Sequence, residues 1–130
     1  MRIIAGEYGG RVLKSPPGNK TRPTSDKLRE TLFNILSGRT EGARFLDLCA
    51  GTGAVGIEAI SRGADFVTFV DRSRKACALI EENLDLLAVP EEMTEILSIT
   101  AENFTSKKVE QSYDIIYYDP PYSEDYHYVL

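Results

Sequence analysis

The stretch Phe45-Leu46-Asp47-Leu48-Cys49-Ala50-Gly51-Thr52-Gly53-Ala54-Val55-Gly56 constrains the fold more than any other part of the chain. Residues 45–49 read as a short, mostly apolar strand, and the apolar run after Gly53 reads as a helix over 54–62, closed by Gly63. A glycine-rich turn joining a strand to a helix belongs to a strand–helix–strand unit, and repeated units of that kind demand a parallel sheet. The alternation continues. Residues 66–70 make a second strand, and Ser73 is placed to cap a long helix in which Cys77, Ile80, Leu84 and Leu87 share a face. Pro90 is expected to end that helix. Residues 93–99 give a third strand, a short helix is expected from Thr100, and residues 113–118 give a fourth strand. The class is therefore α/β: a doubly wound, Rossmann-like sheet with helices on both faces. The chain stops at Leu130, where another helix is beginning, so the sheet is expected to lack its last strands. An open edge would then invite pairing with a second copy as a homodimer.

Residues 1–44 read differently. Residues 2–14 suggest a β-hairpin turning through Gly6 to Gly10. Ser15-Pro16-Pro17-Gly18-Asn19 is a breaker cluster, continued by Thr21-Arg22-Pro23. A helix follows, with Thr24, Ser25 or Asp26 as its cap, Leu28, Leu32, Ile35 and Leu36 as its apolar stripe, and Gly38 beyond its end. Charge divides along the same line. The net formal charge is −5, yet residues 1–44 carry nine Lys/Arg against four Asp/Glu, while residues 45–130 carry six against sixteen. A basic extension on an acidic body is compatible with phosphate contact, with Arg11 and Arg22 as the candidates, although ordinary solvated faces would look the same. We therefore read residues 1–44 as a candidate RNA-binding extension and residues 45–130 as the ligand-binding domain, incomplete at its C-terminal side.

Other classes are disfavoured. No apolar run is long enough to span a bilayer, and the N-terminus has no signal-peptide pattern, so a cytoplasmic protein with no membrane partner is expected. Cys49 and Cys77 are far apart and His127 is the lone histidine, so two buried thiols and no metal site are expected.

Ligands of doubly wound sheets bind beyond the carboxyl ends of the strands, near the switch point. Gly51 and Gly53 would let a ligand lie against the backbone. Residues 51–56 fit the GxGxxG pattern of dinucleotide sites, so a nicotinamide-dependent dehydrogenase is one reading. Asp47 argues against it. A carboxylate beside the turn would repel a pyrophosphate but suits a ligand carrying an ammonium and a sulfonium. Its bland alternative is a strand-end carboxylate bonded to backbone amides. Asp71, ending the second strand, could accept from both hydroxyls of a ribose, or could simply cap the helix after it. Ala101, Glu102 and Asn103 lie where an adenine could rest, or merely form a capped short helix.

Asp119-Pro120-Pro121-Tyr122, at the end of the fourth strand, is the most specific motif. Two prolines stop the strand and fix its exit. The Asp119 carboxylate and the Pro120 carbonyl are both acceptors, matched to the two N–H donors of an exocyclic amino group. Tyr122 offers a face on which a purine can stack.

Motif order and spacing resemble those of class I amino-methyltransferases. Arg2-Ile3-Ile4-Ala5-Gly6, Gly10-Arg11, Arg22-Pro23-Thr24 and Arg29-Glu30-Thr31-Leu32-Phe33-Asn34-Ile35-Leu36 narrow the resemblance to the bacterial 16S ribosomal RNA guanine-N2 methyltransferase family, over essentially the whole chain. The resemblance implies a class I methyltransferase sheet preceded by a small hairpin and helix. It implies S-adenosyl-L-methionine as cofactor, contacted by Asp47, Ala50, Gly51, Gly53, Asp71, Arg72, Ala101 and Glu102. It implies a catalytic turn of Asp119, Pro120, Pro121 and Tyr122, and RNA contacts at Arg11, Arg22 and Thr24. The implied partner is 16S rRNA in the small ribosomal subunit. Members of that family extend well past the Asp-Pro-Pro turn. A methyltransferase of another exocyclic or amide nitrogen, and an inactive fragment that binds cofactor or RNA, remain open readings.

Overall fold

The computed structural model describes residues 1–15, 26–107 and 112–120. Four parallel strands, β1 (Arg44–Leu48), β2 (Phe66–Val70), β3 (Thr94–Leu97) and β4 (Ile115–Tyr118), form one sheet in the order β3-β2-β1-β4. The chain winds outward from β1 through β2 to β3, then returns across the sheet to β4, so the switch point lies between β1 and β4. Helices α2 (Ala54–Ser61) and α3 (Arg74–Leu86) connect the outward run, and α4 (Ala101–Ser106) makes the return crossing. Each face has its own core. One gathers Phe45, Ile57, Val67, Phe69, Ile80 and Leu84. The other gathers Leu46, Leu48, Val70 and Phe104, with Tyr113 packed against it and its hydroxyl 2.9 Å from the buried Thr68 hydroxyl. All eight residues of α2 are buried. Gly56 allows this, because a Cβ there would sit 2.3 Å from the Phe69 ring. No helix among the described residues is long and apolar enough to cross a membrane.

The N-terminal segment adds to the first core instead of standing apart, burying Ile3, Leu13 and Phe33 there. The expected hairpin over 2–14 is present as a short one: Arg2 bridges Val12 antiparallel, and the amides of Ile3, Gly10 and Leu13 donate across it to the carbonyls of Arg11, Ile3 and Met1. Its other backbone bonds go largely to the helices behind it. Glu58 of α2 accepts from the amides of Ile4 and Ala5, Ser61 accepts from those of Glu7 and Tyr8, and Asn83 of α3 bonds both the amide and the carbonyl of Lys14.

The first helix, α1 (Asp26–Ile35), turns a different face inward from the one expected. Leu32 and Leu36 pack on the core, but Leu28 is 54% exposed and Ile35 73%, while Arg29 and Phe33 are buried. Two side chains set this rotation. Phe33 stacks on Phe45 with ring centroids 6.2 Å apart and lies under the Arg62 guanidinium, and Arg29 reaches Glu58. A pattern of apolar residues cannot foretell a buried arginine.

Smaller departures have local causes. After Pro90 the chain makes a 3-10 turn, Glu91–Met93, so the third strand begins at Thr94 and not at Met93. Helix α3 is capped by Ser73, whose hydroxyl accepts from the Ala76 amide, as expected. Its end is made before Pro90: Ala88 adopts φ 57, Val89 donates to the Leu84 carbonyl and Ala88 to that of Asp85. This is a Schellman cap with alanine where glycine is favoured. Ala88→Gly is accordingly expected to raise stability by about 0.5–1 kcal/mol, read from the urea midpoint at unchanged m-value.

Candidate functional site

Register places the site. Leu48, the last residue of β1, pairs with Val70 of β2 on one side and Tyr118 of β4 on the other. Asp71 and Asp119 each follow by one residue, so their backbones flank the start of the glycine turn from the two neighbouring strands. Two strand spacings, about 10 Å, separate them. Asp47 lies one residue below that level, paired with Phe69 and Tyr117.

The turn is held tightly. The Ala50 amide donates to the Val70 carbonyl and the Gly53 amide to that of Ala50, at 2.8 and 2.9 Å. Gly51 (φ 57) and Gly53 (φ 81) are both left-handed. They differ in their surroundings. A Cβ on Gly53 would meet Ile80 at 2.8 Å, whereas one on Gly51 would meet nothing within 4 Å. Gly53 is needed for packing as well as conformation, and Gly51 faces open space above the turn.

Asp71 braces this arrangement. One carboxylate oxygen accepts from the Gly51 amide and the other from the Ser73 amide, each at 2.8 Å. The helix cap itself is Ser73, so Asp71 joins the turn to the start of α3 and keeps lone pairs for a ligand. Asp47 is 1% exposed and accepts from the Gly56 amide at 3.2 Å. Burial pushes its carboxyl up to about 8, against the pull of that amide, with the charges of Asp71 and Asp119 adding to the push. Asp119 is exposed at the rim, and the Tyr117 hydroxyl lies 3.5 Å from it. Pro120 is half-buried beside it. Arg72 is exposed, and its carbonyl lies 3.5 Å from the Ser98 hydroxyl. Ala101 and Glu102 open α4, where Thr100 caps the Asn103 amide.

Cys49 is a member of this group that the sequence did not single out as one. It takes φ 63 between the strand and the turn. It is half-buried, and burial followed by the charges of Asp71, Glu102, Asp47 and Asp119 drives its thiol up to about 11. Cys77, also half-buried and not fully so, is raised by burial and then by Asp71. Tyr118, the last residue of β4 and exposed, was missed as well: burial, then Cys49 and Glu102, push its phenol up. The signal for Cys49 was its position directly between strand and glycine turn.

Arg11 lies elsewhere. Its guanidinium donates to the Leu86 carbonyl at the far end of α3, the end away from the turn. Lys14 is about one turn nearer, at Glu82 and Asn83. Arg22, Thr24, Pro121 and Tyr122 lie outside the described residues. An open depression involving Arg39, Glu41 and Asp114 sits at the opposite ends of β1 and β4, remote from the carboxylates.

Comparison with known proteins decides the family. Residues 1–129 match the family described as Conserved hypothetical protein 95. The chain belongs to this family. Among its relatives, YlbH of Bacillus subtilis is 41% identical over 126 residues, covering 95% of this chain and 68% of that protein. Ribosomal RNA small subunit methyltransferase D of Haemophilus influenzae is 35% identical, covering 94% of this chain and 64% of the relative. The solved structure of yhhF from Escherichia coli superposes with a TM-score of 0.84 at 34% identity, again over 94% of this chain and 64% of that one. The chain thus spans about two thirds or less of the length of the proteins it matches. The fold of the family is the class I methyltransferase sheet, and the four described strands are its β3-β2-β1-β4 part.

Proposed function

We propose that this chain is the cofactor-binding part of a methyltransferase that binds S-adenosyl-L-methionine and methylates the exocyclic N2 of a guanine in 16S rRNA. The observation that carries the reading is the convergence of Asp47, Asp71 and Asp119 on a left-handed glycine turn at the switch point of the sheet. Relatives named ribosomal RNA small subunit methyltransferase D support an rRNA substrate of the small subunit.

The residues present fit such a cofactor. Open space above Gly51 admits a ligand against the backbone, and the surrounding carboxylates favour a cation over a pyrophosphate. When bound, the cofactor supplies a methyl group on a positively charged sulfur. Asp71, with lone pairs beyond its two amide bonds, would take the ribose hydroxyls. Asp47, which holds its proton up to about pH 8, would add negative charge beneath the turn only once ionised above that, and Ala50, Gly51, Gly53, Arg72, Ala101 and Glu102 would form the walls. Asp119 and the Pro120 carbonyl would accept the two amino hydrogens of the base, turning the nitrogen lone pair toward the methyl carbon. Asp119, directly or through water, would receive the proton that the amine loses as its new N–C bond forms. Alignment and oriented acceptors provide most of the acceleration in such a scheme. A target base must leave its stack to enter, which single-stranded RNA permits at low cost. Arg11, Arg22 and Thr24 are the candidate RNA contacts.

Calorimetry with S-adenosylhomocysteine and with NADH, followed by radiolabelled methyl transfer to undermethylated small subunits and their free RNA, tests the reading. Micromolar binding of the first ligand, none of the second, and label recovered as N2-methylguanine are expected. Binding of NADH would overturn the cofactor assignment, and label recovered on adenine or on protein would overturn the substrate.

A further inference from the structure

Arg29 of α1 and Glu58 of α2 are both fully buried, with Nη1 and Oε1 3.3 Å apart. Glu58 is saturated with donors. Its oxygens accept from the Ile4 amide at 3.0 Å, the Ala5 amide at 3.1 Å and Arg62 Nε at 2.9 Å. Arg29 gathers a different set. Its Nη2 donates to the Arg2 carbonyl at 2.8 Å and to the Asp26 carboxylate at the start of α1. Nε is buried with no partner among the described residues.

A buried ion pair gives little net stability over well-packed apolar side chains, because both ions lose their water. What it supplies is direction. A guanidinium fork bonds only along fixed vectors, and a carboxylate filled by three segments cannot slide against any of them. Here the fixed segments are the N-terminal stretch, α1 and α2. Helix α2 follows its N-cap Gly53, and its Gly56 amide holds Asp47. Ser61, at the other end of the same helix, bonds the Tyr8 amide and the Ala5 carbonyl. The basic N-terminal segment is therefore indexed to the helix that carries the glycine turn.

We propose that Arg29 and Glu58 are positioning residues for the substrate: by locking residues 2–5 and α1 onto α2, they set the register between the basic segment and the methyl-transfer turn, so that RNA held by the segment meets Asp119 in a productive pose. The inference rests on the proposed RNA methyl transfer. Its size follows from geometry, since a misplacement of about 1 Å costs about 10²-fold in rate.

The test uses the full chain with Arg29→Met, Arg29→Lys and Ser61→Ala. Folded fraction is read by circular dichroism, cofactor-product affinity by calorimetry with S-adenosylhomocysteine, and kcat and KM with undermethylated small subunits. For Arg29→Met we expect S-adenosylhomocysteine affinity within about twofold of the parent and kcat/KM per folded molecule lower by about 30–100-fold. Arg29→Lys, which keeps the charge and one bond, should recover about a third of that loss on a logarithmic scale. Should Arg29→Met fail to fold, Ser61→Ala, which loosens the same junction, should still lower kcat/KM by about fivefold. Transfer per folded molecule within about threefold of the parent in both Ser61→Ala and whichever Arg29 variant folds would overturn the proposal, as would cofactor affinity falling in step with transfer. A parent chain that binds S-adenosylhomocysteine but methylates no RNA would instead remove the function on which the proposal stands.

Discussion

Methyl transfer by an Asp119→Asn variant is expected to fall by about 10²–10³-fold, with S-adenosylhomocysteine affinity changed by less than about threefold. The asymmetry follows from position. Asp119 stands exposed at the rim, one residue past the last paired residue of β4, and is not among the groups that brace the turn. Asparagine keeps its shape but removes the charge and turns one acceptor into a donor. Facing an amino group that has only N–H bonds to offer, a donor is worse than a gap, and the departing proton loses its receiver. Equal falls in kcat and kcat/KM would mark an interaction made in the transition state. A variant that loses cofactor affinity while retaining the parent rate would show that Asp119 belongs to the cofactor's half of the site.

Asp47→Asn should change the pH dependence of both stability and cofactor binding. The folded chain holds the Asp47 proton up to about pH 8, whereas an unfolded aspartate releases it near its ordinary value of 3.8. Below the lower value both states are protonated and the group's contribution is fully present. Between the two the unfolded chain binds fewer protons, so stability falls as pH rises, and the loss is complete above the folded value. Asparagine imitates the protonated form at every pH. Unfolding free energies of the parent and variant, from urea titrations, should therefore agree near pH 4 and separate by pH 8.5, with the variant more stable by an amount on the order of a few kcal/mol, and melting temperatures should move in the same direction. Ligand affinity should run the other way. A cationic methyl donor gains from the ionised carboxylate, so parent and variant should bind S-adenosylmethionine within about threefold at pH 6, while the parent binds about tenfold more tightly at pH 9. Parallel melting curves across this range would show that Asp47 is already ionised in the folded chain.

Much of this arrangement could be read before any coordinates, and the reasons are local. Strand β2 is bounded as the sequence suggests because five β-formers stand between turn residues, and Ser73 announces α3 because a hydroxyl there can do little else so well. Asp119 falls at the end of β4 because Pro120 and Pro121 forbid the strand to continue. What was hidden depends on partners distant in sequence. The inward face of α1 is dictated by Glu58 and Phe45, so the leucine spacing of the helix pointed partly at solvent. The hairpin keeps its cross-strand bonds but is also tied to Glu58, Ser61 and Asn83, three polar residues whose burial no periodicity reveals. Asp47 was legible as a carboxylate beside a turn, but its retained proton arises from depth and from two other aspartates. Cys49 looked like an ordinary thiol until β1, β2, β4 and α4 closed around it.

The neighbour of β1 on the switch-point side is β4, the last of the four described strands. Phe45 finds Ile115 across seventy positions of sequence, whereas its pairing with Val67 is local by comparison. As the chain leaves the ribosome, β1, β2 and β3 can assemble while one flank of the central strand is still bare, and β4 must close it afterwards. Among the four described strands, the one that brings Asp119 to the glycine turn is thus the last to be made. A nascent molecule can carry a formed glycine loop well before the acidic tip of β4 exists beside it, and the naked flank of β1 is the surface that chaperones or stray strands would meet in the interval.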